Sequence, residues 1–472
     1  MIRLSLVVLF ALLLASCATR GALDIACNQM RAVPLPNSQL VDDIQSGART
    51  IDVRNIGRAA ALRPLAPDAS MRGTPATELL SAQTLALGEM RRQLASGPTL
   101  LLSGGGQWGA FGAGYLAMLN ERGQLPHFNT VTGVSTGALQ AIFMGAIGDP
   151  ALGSDEQRRD LFRSLMGRYR PASEKEIVNR DPSKLFAVAT GSFAGVRPLE
   201  RRVKLALCDR EVDPVDCPLI RHLAQSTTHV YVGFVRADDG HFYIADITAL
   251  ARDAYPGGSA PPAPPAMRAE SQRCITGAAI ASSAMPVFYQ QIRVGPPQQE
   301  KTLYDGGVRQ SVFEAALASL VDAAGAGGPS SMPSDIYVVR NGPTGVVGDE
   351  KANRKSDALG PAMRAEAIVV NQLEVQSIAD LRLAHPRGNI FLMTADGYDR
   401  EHAQPGDDPG LAGKPFYKDA SAGPEVCVKD PPEAMFSPSF MACVMRYGRL
   451  MARDVGWRNL SELQIDQPAV RR

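Results

Sequence analysis

Gly133-Val134-Ser135-Thr136-Gly137 decides how this chain is read. It is a G-x-S-x-G pattern, which sets a serine on a sharp strand-to-helix turn between two glycines that let the backbone bend. Upstream, Thr99 to Ser103 is a short apolar run that predicts a buried strand, and Gly104-Gly105-Gly106-Gln107-Trp108-Gly109 follows it. Ala110 to Arg122 then reads as a helix stopped by Gly123. Phe128 to Val134 predicts a second strand and Ala138 to Ile147 a second helix. Strand, helix, strand, helix at these lengths is a βαβ unit. The fold class is therefore α/β, with a mainly parallel central sheet and right-handed crossovers.

Further strands are expected at His229 to Ala237 and His241 to Ile247, joined by an Asp238-Asp239-Gly240 turn. Ile336 to Arg340 and Ile390 to Thr394 are two more apolar runs. Thr77 to Leu94, Pro361 to His385 and Phe440 to Arg453 read as helices. Residues 18 to about 75 carry no sustained period and read as an extended lead-in. Stretches 256–265, 323–333 and 402–436 read as loops.

The 472 residues suffice for one large domain or two. A composition of 45% hydrophobic and 21% charged residues is that of a globular protein. With a formal net charge of +1 there is no broad basic field, so nucleic acid is excluded as a partner. At the N-terminus Arg3 precedes an apolar run, Leu4 to Leu14, which marks a targeting segment too short for a comfortable membrane span. The run ends in Leu14-Ala15-Ser16-Cys17, which resembles the lipobox of a bacterial lipoprotein signal. That resemblance implies removal of residues 1–16, acyl chains on Cys17, and a lipid anchor in the bacterial cell envelope. The non-acidic Ala18 points within that resemblance to the outer membrane.

Six cysteines remain besides Cys17, an even count that reads as disulfides in an exported chain. Spacing favours Cys208–Cys217 and Cys427–Cys443, leaving Cys27–Cys274, although six cysteines allow other pairings. No C-x-x-C or Cys/His cluster has metal-ligand spacing, so no metal is expected.

Gly104 to Gly109 also fits G-x-G-x-x-G, the dinucleotide fingerprint. That motif wants a carboxylate at the end of the next strand, where this chain has Thr132-Gly133-Val134-Ser135. No Gly-Lys-Ser/Thr follows for a P-loop either, so no cofactor is expected. Acyl transfer uses every part instead. Backbone N–H groups of a glycine loop at a helix N-terminus can meet the negative charge of a tetrahedral intermediate. Tyr304-Asp305-Gly306-Gly307 supplies a carboxylate with little bulk around it. A triad of Ser135, Asp305 and His385 is the alternative with a histidine base.

Together these elements resemble the patatin-like phospholipase family. Gly104-Gly105-Gly106-Gln107-Trp108-Gly109 corresponds to its G-G-G-x-[R/K]-G segment, Gly133 to Gly137 to its G-x-S-x-G, and Asp305-Gly306-Gly307 to its D-G-[A/G]. Ala281-Ser282-Ser283-Ala284-Met285-Pro286-Val287-Phe288 looks like its A-[ST]-S-A-x-P-x-[FY] segment. The resemblance implies a three-layer α/β/α fold with loop insertions and a serine acylhydrolase acting on lipid esters. Ser135 is then nucleophile, Asp305 its base, and Gly104, Gly105 and Gly106 the oxyanion donors. Trp108 departs from the family's cation and is expected to be a packing residue. The expected organisation is a lead-in over 17–95, a catalytic domain over 96–400, and a loop and C-terminal helix over 401–472. Segments 171–227 and 398–436 are the expected cover of the site. The alternative from another class is an envelope lipoprotein that keeps the fold as a binding or scaffold protein. No oligomeric state is implied.

Overall fold

The computed structural model describes residues 21–28, 30–35, 97–180, 192–208, 216–257, 261–313, 335–346, 359–385, 388–398, 427, 429 and 434–460. The expected signal segment with Cys17, the Thr77–Leu94 helix, the 323–333 loop and most of 402–436 lie outside these residues.

The strands are β1 (Leu23–Ala26), β2 (Ala32–Pro34), β3 (Thr99–Leu102), β4 (Thr130–Val134), β5 (Asn179–Arg180), β6 (Ala194–Gly195), β7 (His229–Arg236), β8 (Phe242–Asp246), β9 (Ile292–Gly295), β10 (Lys301–Asp305), β11 (Asp335–Val339), β12 (Asn389–Met393) and β13 (Arg458–Leu460). The helices are α1 (Gly109–Glu121), α2 (Thr136–Ile147), α3 (Asp155–Arg168), α4 (Arg197–Leu207), α5 (Pro218–Gln225), α6 (Ile247–Ala254), α7 (Pro265–Ser282), α8 (Leu359–Ala384) and α9 (Pro438–Asp454). The central sheet runs β1-β9-β10-β7-β4-β3-β11-β12-β13, and β8 joins β2 to β7. From β7 through β4, β3 and β11 to β12 every pairing is parallel. The strands added beyond β7 and β12 bring antiparallel pairs.

Alternation along the strands produces three layers. Leu100 and Leu102 of β3 join the main core with α1, α2 and α9, whereas Leu101 packs with Ile378 and Leu381 of α8 on the opposite face. In β11, Tyr337 and Val339 face the first core and Ile336 and Val338 the second. A strand buried on both faces needs apolar residues at successive positions, which is why Thr99–Leu102 reads as a continuous apolar run.

The lead-in expected over residues 18–75 holds β1 and β2. Strand β1 pairs in parallel with β9, and β2 pairs with β8. The Cys27–Cys274 disulfide ties the end of β1 to α7. Cys208–Cys217 and Cys427–Cys443 are also bonded, so all three favoured pairings are present. Among the described residues no helix is long and apolar enough to cross a membrane.

Candidate active site

Ser135 sits between β4 and α2 with φ 54° and ψ −125°, a region that residues other than glycine seldom enter. The turn is possible because a glycine stands two residues before Ser135 and another two residues after it. A Cβ on Gly137 would lie 2.3 Å from the Leu102 carbonyl oxygen, so any side chain there would push α2 away from β3. Gly133 closes β4 just ahead of the turn.

Strand β7 brings Asp305 to this serine. Val134 of β4 lies opposite Gly233, and Asp305 of β10 lies opposite Phe234, the next residue along. Because β8 occupies the other edge of β7, β4 and β10 share one edge, with β10 taking over where β4 ends. Asp305 is buried, accepts a hydrogen bond from the Gly307 N–H at 2.7 Å, and lies beside the Ser135 side chain. Burial pushes its carboxyl up to about 7, against the opposing pull of the Ser135 hydroxyl and the Gly307 N–H. The charge of Glu374 adds to the upward push. Gly306 and Gly307 form the turn beside Asp305, and a Cβ on Gly307 would lie 3.1 Å from its Oδ1.

Gly104, Gly105 and Gly106 lie across the same site. Gly105 has φ 139°, and a Cβ there would stand 1.9 Å from the Asn341 carbonyl oxygen. For Gly104 the geometry departs from the expected oxyanion role, because its N–H already donates to Ser311 Oγ at 3.2 Å. Among the described residues nothing accepts from the Gly105 or Gly106 N–H. The loop is braced from behind by buried amides. Asn341 Nδ2 donates to the Ser103 carbonyl at 2.8 Å and to Gln140 Oε1 at 3.0 Å. Gln140 Nε2 in turn donates to the carbonyl of Gly109, the first residue of α1, at 2.7 Å. Neither amide was anticipated from the sequence. The available signal was a lone Gln140 in the otherwise apolar α2.

These groups line a cavity of about 420 Å³, within the range of small-ligand sites. Its wall is mainly apolar, with Leu139, Ile177, Leu199, Val203, Phe288 and Phe436 among the residues that form it. Both expected cover segments contribute, Ile177, Leu199, Arg202 and Val203 from one and Met435 and Phe436 from the other. Trp108 borders the cavity and packs edge-on against Tyr398 and Phe440, with ring centroids 4.6 and 4.8 Å apart. Its packing role thus coexists with exposure to whatever fills the cavity.

Two carboxyls on one face of α8 complete the wall. Glu366 is pushed up to about 8 by burial and by the Asp305 charge. Glu374 is buried and paired with Arg340 at 3.0 Å. No histidine among the described residues lines the cavity, and His385 is buried at the end of α8. The Ser135–Asp305–His385 triad is therefore not assembled. The one His/Cys/Asp/Glu group close enough for a metal among the described residues is Cys27, Glu270 and Cys274, whose sulfurs are joined to each other.

No curated protein matches the sequence. VipD from Legionella pneumophila is a similar solved structure, 13% identical, with a TM-score of 0.25 over 77% of this chain and 68% of that one. Human GIVD cytosolic phospholipase A2 is 10% identical, with a TM-score of 0.35 over 81% of this chain and 63% of that one. Residues 100–318 match the family model of patatin-like phospholipase, a span that includes the glycine loop, the serine turn and Asp305. Over these residues the chain is similar to the patatin-like phospholipase family.

Proposed function

We propose that the protein is a serine acylhydrolase that cleaves carboxylic esters of lipids through a Ser135–Asp305 dyad. The juxtaposition of the Ser135 hydroxyl and the buried Asp305 carboxyl at the wall of an apolar cavity carries this reading. Ser135 Oγ attacks the ester carbonyl carbon while its proton passes to Asp305. The oxygen that gains charge is met by the Gly105 and Gly106 N–H groups. The C–O bond then breaks, Asp305 returns the proton to the departing alcohol, and the acyl group stays on Ser135. Water attacks this ester, Asp305 takes its proton, and the fatty acid leaves as Ser135 is restored.

A carboxylate of ordinary pKa is a weak base. Burial strengthens Asp305 as a proton acceptor by disfavouring its charged form. The apolar wall gives the acyl chain a place out of water. The test is release of p-nitrophenol from acyl esters: Ser135→Ala abolishes it and Asp305→Asn reduces it severely. Full activity in both variants contradicts the mechanism.

The lipobox-like Leu14-Ala15-Ser16-Cys17 supports a membrane tether through acylated Cys17. Wild-type protein expressed with a clickable palmitate analogue should incorporate it and Cys17→Ser should not. Equal incorporation in both would overturn the anchor.

A further inference from the structure

The segment Ala281-Ser282-Ser283-Ala284 takes no part in the steps above, yet it touches the nucleophile's backbone. The Ser135 N–H donates to Ser282 Oγ at 2.8 Å, and Ser282 Oγ donates to the Gly233 carbonyl at 2.6 Å. Ser282 is fully buried and does not line the cavity. A serine at a helix end commonly bonds back to its own helix, as neighbouring Ser283 does to the Ala279 carbonyl at 3.0 Å. Ser282 instead reaches residues 147 and 49 positions away.

Both partners belong to the site's frame. Ser135 precedes the first residue of α2, so its N–H has no partner within that helix. Its positive φ leaves the peptide strained, and an outside bond must hold it. Gly233 lies opposite Val134, and its carbonyl oxygen is 2.8 Å from where a Cβ on Gly306 would stand. One carbonyl thus borders the strand before the nucleophile and the turn after the base. A group between the Ser135 N–H and that carbonyl must accept one hydrogen bond and donate another, which a hydroxyl does.

We propose that Ser282 is a positioning residue for the nucleophile, whose hydroxyl holds the Ser135 peptide in the orientation that aims Oγ at Asp305. The proposal rests on the reading of Ser135 as nucleophile. Without the hydroxyl, the peptide before Ser135 can rotate, relieving both the strain and the unpaired N–H, and Oγ swings off line.

The experiment compares Ser282→Ala with Ser282→Thr and Ser282→Val. Threonine keeps the hydroxyl and valine has the same bulk without it, so their contrast stands even if the alanine variant folds poorly. Ser135→Ala is the control on the nucleophile itself. The readouts are kcat and KM on p-nitrophenyl acyl esters and the rate of fluorophosphonate labelling. Ala and Val should lower kcat and labelling about 100-fold with KM little changed, the scale of a misplaced reacting group. Thr should recover most of the loss. Wild-type kcat and labelling in Ala or Val, or equal impairment of Thr and Val, overturns the role of Ser282 while leaving the nucleophile reading intact. Retained activity in Ser135→Ala instead overturns the nucleophile, and the role of Ser282 with it.

Discussion

Asp305 lies beside Ser135 at a point where its carboxylate is buried and a second carboxyl, Glu374, stands close enough to raise its pKa. Register along β7 sets this relationship, since Val134 and Asp305 face consecutive residues of that strand. The relative placement of Ser135 and Asp305 is thereby set by the sheet, and burial raises the Asp305 carboxyl.

A base must be ionised to accept a proton. With Asp305 pushed up to about 7, kcat/KM should rise through an acid limb near neutrality rather than near the ordinary carboxylate value. A pH–rate profile on a soluble ester measures this directly. A limb centred near pH 4 would show that the Asp305 carboxyl is not raised by its burial.

The same shift makes stability depend on pH. Between the ordinary value of 3.8 and about 7, the folded state keeps a proton on Asp305 that the unfolded chain has released. Stability from this group is therefore greatest at low pH and falls as pH rises through that window. Asp305→Asn cannot ionise, so its Tm should exceed that of wild type at about pH 8, with the gap closing toward pH 4. Equal Tm values at both ends would contradict the buried, high-pKa carboxylate.

Much of this site was legible in the sequence because it follows local rules. Gly105, Gly133, Gly137 and Gly306 mark places where backbone approaches backbone, as with Gly137 under the Leu102 carbonyl. What stayed hidden depends on distant residues. Strands β1 and β2 are four and three residues long, too short to show a period, and they form by pairing with β9 and β8. Asn341 and Ser311 meet the glycine loop from more than 200 positions away, so no local motif announces them. The reassignment of the Gly104 amide follows from one such contact. Trp108 reaches Phe440 only once α9 is in place.

Gly105 provides a sharp test of the loop. Alanine there meets the Asn341 carbonyl and an unfavourable φ, so the loop must shift and carry its N–H out of line. Loss of one such donor costs about 100-fold in kcat. Steady-state kinetics of Gly105→Ala should show that loss, and unchanged kcat would exclude this amide from the oxyanion site.

The Cys27–Cys274 bridge spans 247 positions and fastens β1 to α7. Removing a bridge that closes so long a loop should destabilise the fold by about 3–5 kcal/mol. Thermal unfolding of the Cys27→Ala/Cys274→Ala double variant checks this, and an unchanged Tm would show that β1 is held by strand pairing alone.

The central claim is that Ser135 carries the acyl group with Asp305 as its base. Rapid quenching of the protein during turnover of a p-nitrophenyl acyl ester, followed by peptide mapping, tests it most directly. The account predicts an acyl mass on Ser135, absent in Ser135→Ala and slow to form in Asp305→Asn. An acyl adduct on another residue, or turnover undiminished in Ser135→Ala, would contradict it.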